Sequence, residues 1–186
     1  MQRTLVLGSS GSGKSTFARQ LGQLLQVQVI HLDSYFWQPN WVATPAPEWQ
    51  QKLERLLHID SWVMDGNYTA SLDLRLSFAD TIIFLDLNRF ICLSRCIKRL
   101  LQNWGRNREE LAPGCYEKMD WDFFKWIWNY PSARKPIILK RLQENAGNQR
   151  VFILRSSGEI ADFLDEVSKY AKTPIQRRTR EPVGNG

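Results

Sequence analysis

Short apolar runs of strand length alternate along the chain with segments whose apolar residues recur at helical spacing. The runs are Thr4–Leu7, Val27–Leu32, Trp62–Met64, Thr81–Leu85 and Val151–Leu154. After the first, Phe17, Ala18, Leu21 and Leu25 fall on one face of a predicted helix. A proline-rich linker from Pro39 to Pro47 leads into a helix with Pro45 and Pro47 in its first turn and Trp49, Leu53, Leu56 and Leu57 on its buried side. A long helix begins near Arg89, apolar through Leu93, Ile97, Leu100 and Leu101. The stretch Asn103–Glu117, with Gly105, Pro113 and Gly114, leaves helical form. An aromatic run from Trp121 to Trp128 and a helix around Ile137–Leu142 follow. Ser156 and Glu159 form a capping box for a last helix carrying Ile160, Phe163, Leu164 and Val167. This alternation predicts an α/β domain with a parallel sheet. Residues 172–186 are basic and aperiodic, which predicts a disordered tail and leaves residues 1–171 as the domain.

Between the first strand and its helix lies Gly8-Ser9-Ser10-Gly11-Ser12-Gly13-Lys14-Ser15-Thr16, which fits G-x-x-x-x-G-K-[ST] at every fixed position. Glycines let such a loop curl so that successive backbone N–H groups point at phosphate oxygens. Lys14 is placed to reach the outer phosphates, and the Ser15 hydroxyl to join the shell of a Mg²⁺ ion. The following helix contributes the positive end of its dipole. Strand, glycine loop and helix occur in the required order, so the motif predicts binding of a nucleoside triphosphate with Mg²⁺.

The length of 186 residues suffices for one well-cored domain, and 43% hydrophobic residues fit a globular chain. A net charge of +6 suits anionic ligands and also permits nucleic acid. The cysteines are Cys92, Cys96 and Cys115, without a C-x-x-C pair that would clip zinc into a lid. Cys92 and Cys96, one helical turn apart, read as small core residues. No signal peptide precedes the glycine loop and no apolar run approaches membrane length, so a reducing cytoplasm is expected and a membrane partner is not.

Three predicted strands end in a carboxylate, Asp33, Asp65 and Asp86. Ligands of open α/β sheets sit outside the carboxyl ends of the strands, which puts Asp33 and Asp65 in the crevice of the glycine loop. Asp65, followed by Gly66, is expected to hold a magnesium water. Asp33 is expected to contact the acceptor or serve as base, and Asp86 to be a solvated turn residue. His31 and His58 are read as structural, without a partner visible in the sequence.

The glycine loop, His31-Leu32-Asp33, Asp65-Gly66-Asn67-Tyr68 and the arginines after the fourth strand resemble the adenylate-kinase-like P-loop kinases. More closely, HLDSYFW, DGNY, DLRLSFADTIIFLD, CLSR and WDFFKWIWNYP resemble the bacterial DNA topology modulation proteins, regarded as predicted nucleotide kinases. The resemblance runs from Met1 to about Tyr170. It implies a three-layer P-loop NTPase fold with a five-stranded parallel sheet, a mobile helical lid over about residues 99–130, and bound ATP. It implies that Asp65 holds Mg²⁺ through water, that Arg95 lies over the adenine, that Arg99 meets the phosphates, and that Asn67 and Tyr68 line the acceptor side. Phosphoryl transfer rests on positioning and charge neutralisation, so arginines carried by a closing lid are the expected catalysts; Arg106 and Arg108 lie in the irregular segment beyond Arg99.

Adenylate kinases also place arginines on the acceptor-side helix. Here residues 34–54 contain none, Tyr35, Phe36, Trp37 and Trp41 occupy the region, and Arg75 is the nearest candidate clamp. The run Trp121–Trp128 reads either as a covered core or lid-hinge helix or as a stacking wall for the acceptor. The expected activity is transfer of the γ-phosphoryl group of Mg-ATP to a small molecule, a nucleotide or nucleoside. The alternative is a nucleotide-dependent DNA-binding regulator, which the net charge permits but no recognisable DNA-binding motif supports. The sequence does not specify an oligomer.

Overall fold

The computed structural model describes residues 1–106, 110–145, 147 and 149–172. In chain order the strands are β1 (Arg3–Gly8), β2 (Gln28–His31), β3 (Trp37–Gln38), β4 (Val42–Ala43), β5 (Trp62–Asp65), β6 (Thr81–Leu85) and β7 (Arg150–Leu154). The α-helices are α1 (Lys14–Leu25), α2 (Leu32–Phe36), α3 (Ala46–Leu57), α4 (Leu72–Phe78), α5 (Arg89–Gln102), α6 (Trp121–Ala133), α7 (Lys135–Glu144) and α8 (Ser157–Lys172). Beyond Lys172 the expected tail lies outside the described residues.

Five strands form one parallel sheet in the order β2-β5-β1-β6-β7, as the run of strands and helices predicts. Side chains alternate between faces along each strand. Leu5, Leu7, Ile82 and Phe84 point to the layer of α3, α4 and α7, where Leu53, Leu57, Leu76, Ile138 and Leu142 close the core. Val6, Ile83 and Leu85 point the other way, onto Phe17 and Leu21 of α1, Cys92 and Cys96 of α5, and Phe163 and Val167 of α8. The three central strands are buried on both faces, which is why they read as continuous apolar runs. The chain runs from β1 to the edge strand β2, returns to β5 beside β1 and then crosses to β6 and β7 on the other side, so the crevice lies at the carboxyl end of β1, between β5 and β6.

Several local expectations are corrected. The second strand stops at His31, because Val27 completes the end of α1 by bonding Gly22 O and Leu32 begins the short helix α2. Asp33 therefore sits in the first turn of a helix rather than at a strand end. The long helix turns Cys92, Cys96 and Leu100 inward, while Ile97 and Leu101 are 48% and 75% exposed. Two small cysteines let α5 press against the glycine loop: a Cβ at Gly11, whose φ is +78°, would collide with Cys92 O and lie 2.9 Å from Cys96 Sγ. The aromatic helix α6 is covered on its Ile127–Tyr130 side only, leaving Trp121 72% exposed. The capping box forms as predicted, Ser156 Oγ accepting from Glu159 N at 3.1 Å.

Between α5 and α6 the chain is irregular, and its Ala112–Tyr116 portion docks on the β3–β4 hairpin. Asn40 N donates to Gly114 O at 3.0 Å and Trp41 Nε1 to Tyr116 O at 2.9 Å. Leu111, Ala112 and Cys115 pack against Trp37 and Trp41. No helix among the described residues is long and apolar enough to cross a membrane.

Candidate active site

The glycine loop closes the end of β1 and delivers Lys14 and Ser15 as the first residues of α1. Ser12 N bonds Ser9 O at 3.1 Å, and the Lys14 ammonium folds back to donate to Ser9 O at 2.9 Å. Burial pulls the Lys14 pKa below its ordinary value, and the nearby Asp65 and Asp33 carboxylates offset only part of that.

Asp65 ends β5 with its side chain inside the crevice, 4% exposed. One oxygen accepts the Ser15 hydroxyl at 2.8 Å and the other lies 2.5 Å from His31 Nδ1. This corrects the reading of His31 as a histidine without a partner. The partner comes from the register of the sheet: parallel pairing of β2 with β5 sets His31 directly opposite Asp65. Burial disfavours the imidazolium, but the hydrogen bond and charge of Asp65 outweigh it and raise the His31 pKa. His58 lies elsewhere, with Nδ1 2.8 Å from Glu54 O and its ring against Phe78.

The loop after β5 is stitched to the glycine loop by Asn67, whose Oδ1 accepts from Gly8 N at 3.3 Å while its amide donates to Gly8 O. Tyr68 donates to Asp33 Oδ1 at 2.6 Å. Burial, with Asp33 beside it, pushes the Tyr68 phenol up, so it stays a donor. Arg75 is not the acceptor clamp that the sequence suggested. It is 0% exposed, and its guanidinium donates to Gly66 O at 2.9 Å, Tyr68 O at 2.7 Å and Ser71 O at 3.4 Å. Asp86 is held by Lys135 Nζ at 2.7 Å rather than standing as a solvated turn residue.

Arg95 and Arg99 lie four residues apart on α5. Arg95 passes beside the glycine loop, 3.7 Å from where a Cβ of Gly13 would stand, and donates to Ser157 Oγ at 3.1 Å. Arg99 pairs with Glu117 at 3.1 Å at the root of the irregular segment. Arg106 is exposed, its backbone bonded to Asn103 O and Glu117 N. Arg108 lies outside the described residues. The structure thus brings Lys14, Ser15, Asp33, Asp65, Asn67 and Tyr68 to one crevice, places Arg95 at its edge, and keeps Arg75 out of it.

The residues fit a bound nucleotide and metal. Only glycine fits at the start of the loop: a Cβ at Gly8, where φ is +146°, would lie 2.6 Å from Leu85 O on β6. The Ser15 hydroxyl and Asp65 carboxylate form the oxygen donor set that Mg²⁺ selects.

Solved structures share this architecture, and 112 chains match. A shikimate kinase from Acinetobacter baumannii in complex with shikimate is 13% identical, over 91% of this chain and 93% of that one, at a TM-score of 0.57. A structure from Chloroflexus aurantiacus j-10-fl is 13% identical over 91% and 98%, at 0.53. A gluconokinase from Sinorhizobium meliloti 1021 is 15% identical over 91% of both chains, at 0.50. The chain shares their α/β fold, built on a five-stranded parallel sheet. Its sequence matches no family model and no curated protein, so the likeness to the DNA topology modulation proteins rests on the motifs quoted above.

Proposed function

We propose that this chain is a phosphotransferase that moves the γ-phosphoryl group of Mg-ATP to a hydroxyl of a small molecule, a nucleotide or nucleoside. The observation that carries the reading is the convergence of Lys14, Ser15, Asp65 and Asp33 on one crevice, with Ser15 Oγ 2.8 Å from Asp65 Oδ2. The names of the structurally similar shikimate kinase and gluconokinase support a small-molecule acceptor.

Residues of the glycine loop bind the phosphate chain through backbone N–H groups, and Lys14 turns from Ser9 O to the outer phosphates. An anionic chain there offsets the cost of the partly buried ammonium. Ser15 directly and Asp65 through a water would hold Mg²⁺, and the ion would supply positive charge at the outer phosphates. Asp33 accepts the proton of the acceptor hydroxyl as that oxygen bonds to the γ-phosphorus, the bond to the β–γ bridging oxygen breaks and ADP leaves. Arg95 lies over the base of the nucleotide, and Arg99 adds positive charge at the transferring group.

Acceptor-stimulated ADP release from Mg-ATP, measured across a panel of alcohols, tests the reading. Stimulation that disappears in Lys14→Ala supports it. Salt-sensitive DNA binding without acceptor-dependent ADP release favours the nucleotide-dependent DNA regulator instead.

A further inference from the structure

The acceptor side of the crevice is walled by aromatic rings rather than by cations. From His31 to Phe78 the lysines and arginines are Lys52, Arg55 and Arg75. Arg75 is closed in by three backbone carbonyls. Lys52 pairs with Glu48 at 2.8 Å. Arg55 lies in the last turn of α3, six residues past Trp49 and so about 9 Å further along the axis. Trp49 is the α3 residue whose ring meets Tyr68, at 5.3 Å.

In place of cations stands a continuous aromatic strip. Tyr68 meets Phe36 at 4.5 Å, Phe36 meets Trp37 at 4.9 Å, and Trp37 meets Trp41 at 5.6 Å. Tyr68, Phe36, Trp37 and Trp41 are all half-buried, Trp37 and Trp41 with Leu111, Ala112 and Cys115 packed against them. Trp41 is held at a φ of +62°, a conformation that a bulky side chain rarely adopts and that marks an over-determined position. At the inner end of the strip is the exposed Asp33 carboxylate, with one oxygen taken by Tyr68 and the other open.

We infer that the acceptor is an uncharged alcohol carrying a planar ring, of the nucleoside type rather than a nucleoside phosphate. Its ring stacks on the Phe36–Trp37–Trp41 strip, and its hydroxyl meets the open oxygen of Asp33. Tyr68 is a positioning residue: by donating to one Asp33 oxygen it aims the other. A phosphorylated or carboxylated acceptor would bring a second anion toward Asp33 without a free guanidinium among residues 31–78 close enough to receive it. Base–aromatic stacking tolerates many rings and is lost on truncation to alanine, at roughly tenfold to a hundredfold per contact. This inference rests on the kinase reading above.

The test is calorimetry on the full chain saturated with Mg²⁺ and a non-hydrolysable ATP analogue. The four ribonucleosides, their 5′-monophosphates, shikimate and gluconate are titrated in turn. At least one nucleoside is expected to bind on the order of tenfold or more tighter than its monophosphate and than either carboxylate. Trp37→Ala should weaken that binding about tenfold or more, and Trp37→Phe should restore most of it. Tyr68→Phe, which keeps the ring packing, should lower kcat about tenfold or more while KM stays near that of the parent. Tighter binding of a monophosphate or carboxylate, no binding of any nucleoside, or a Trp37→Ala titration that overlays the parent overturns the inference. If the ATP analogue binds in these cases, the nucleotide-site reading stands and only the acceptor class falls. If the analogue itself fails to bind, the kinase reading falls and takes the inference with it.

Discussion

Ser15 Oγ donates to Asp65 Oδ2 at 2.8 Å, joining the first turn of the helix after the glycine loop to the end of the neighbouring strand. Two residues fifty positions apart thus form one oxygen pair, and the other oxygen of Asp65 is fixed by His31 at 2.5 Å. Asp65→Asn should shift the Mg²⁺ titration of ADP release to higher metal by about tenfold to a hundredfold, the usual consequence of disturbing a metal's supporting shell. ATP binding measured in chelator should change little. Overlaid metal titrations would leave Asp65 with its hydrogen bonds to Ser15 and His31 as its whole role.

The His31–Asp65 pair also gives the metal-free protein a pH signature. The His31 pKa is raised above its ordinary 6.5, so the charged imidazole stabilises the fold. That stabilisation is complete below about 6.5 and is lost as pH rises through the raised value. His31→Gln should therefore lower Tm in chelator more at pH 5.5 than at pH 9. A Tm difference between parent and variant that is the same at both pH values sinks the assignment.

The strands themselves, the glycine loop and the capping box were legible because each depends on local pattern: continuous apolar runs, fixed glycine spacing, and Ser156 three residues before Glu159. The carboxylates Asp33 and Asp65 were legible by the rule that ligands gather at the carboxyl ends of parallel strands. What the pattern could not show was pairing. His31 acquires its role from the register of β2 on β5, which is a property of the folded sheet. Cys92 and Cys96 take the inward face of α5 as core residues, as their spacing indicates, but Ile97 and Leu101 do not join them, because proximity to Gly11 favours small side chains there and hydrophobicity alone does not register that. Arg75 looked like a phosphate clamp because charge is expected at a surface; its three carbonyl partners lie in a turn whose curvature no periodicity encodes.

Arg75 instead holds the Gly66–Ser71 loop that carries Asn67 and Tyr68. Burial pulls its guanidinium pKa down to about 10, so it remains charged at neutral pH. Arg75→Ala strips donors from three backbone carbonyls and leaves a void, which should cost about 3 kcal/mol or more. Urea unfolding should show the midpoint falling with little change in slope. A midpoint within error of the parent would mean that water replaces the guanidinium without loss.

Lys14→Ala should abolish acceptor-dependent ADP release while leaving Tm close to that of the parent. Lys14 is half-buried and makes its hydrogen bond within the loop, to Ser9 O, so the core does not depend on it. A mutant that retains near-parent turnover would remove the phosphate-binding role from this lysine.

The two arginines of α5 should separate in kinetics because the structure places them differently. Arg95 already stands beside the glycine loop, 3.7 Å from the Cβ position of Gly13, so its contact with bound nucleotide is made in the ground state. Arg95→Ala should weaken ATP binding and lower turnover together. Arg99 is paired with Glu117 at 3.1 Å, at the point where the chain enters the irregular segment. Its charge reaches the phosphates only if that pair opens as the lid closes, so it acts mainly on the transition state. Arg99→Ala should lower kcat on the order of a hundredfold, the typical loss for one preorganised donor, with a much smaller change in ATP affinity. Glu117→Gln weakens the competing pair and leaves Arg99 in place, so it should retain far more kcat than Arg99→Ala does. Parent-like kcat and ATP affinity in both arginine variants would make this helix face a solvated surface and put the catalytic charge elsewhere in the chain.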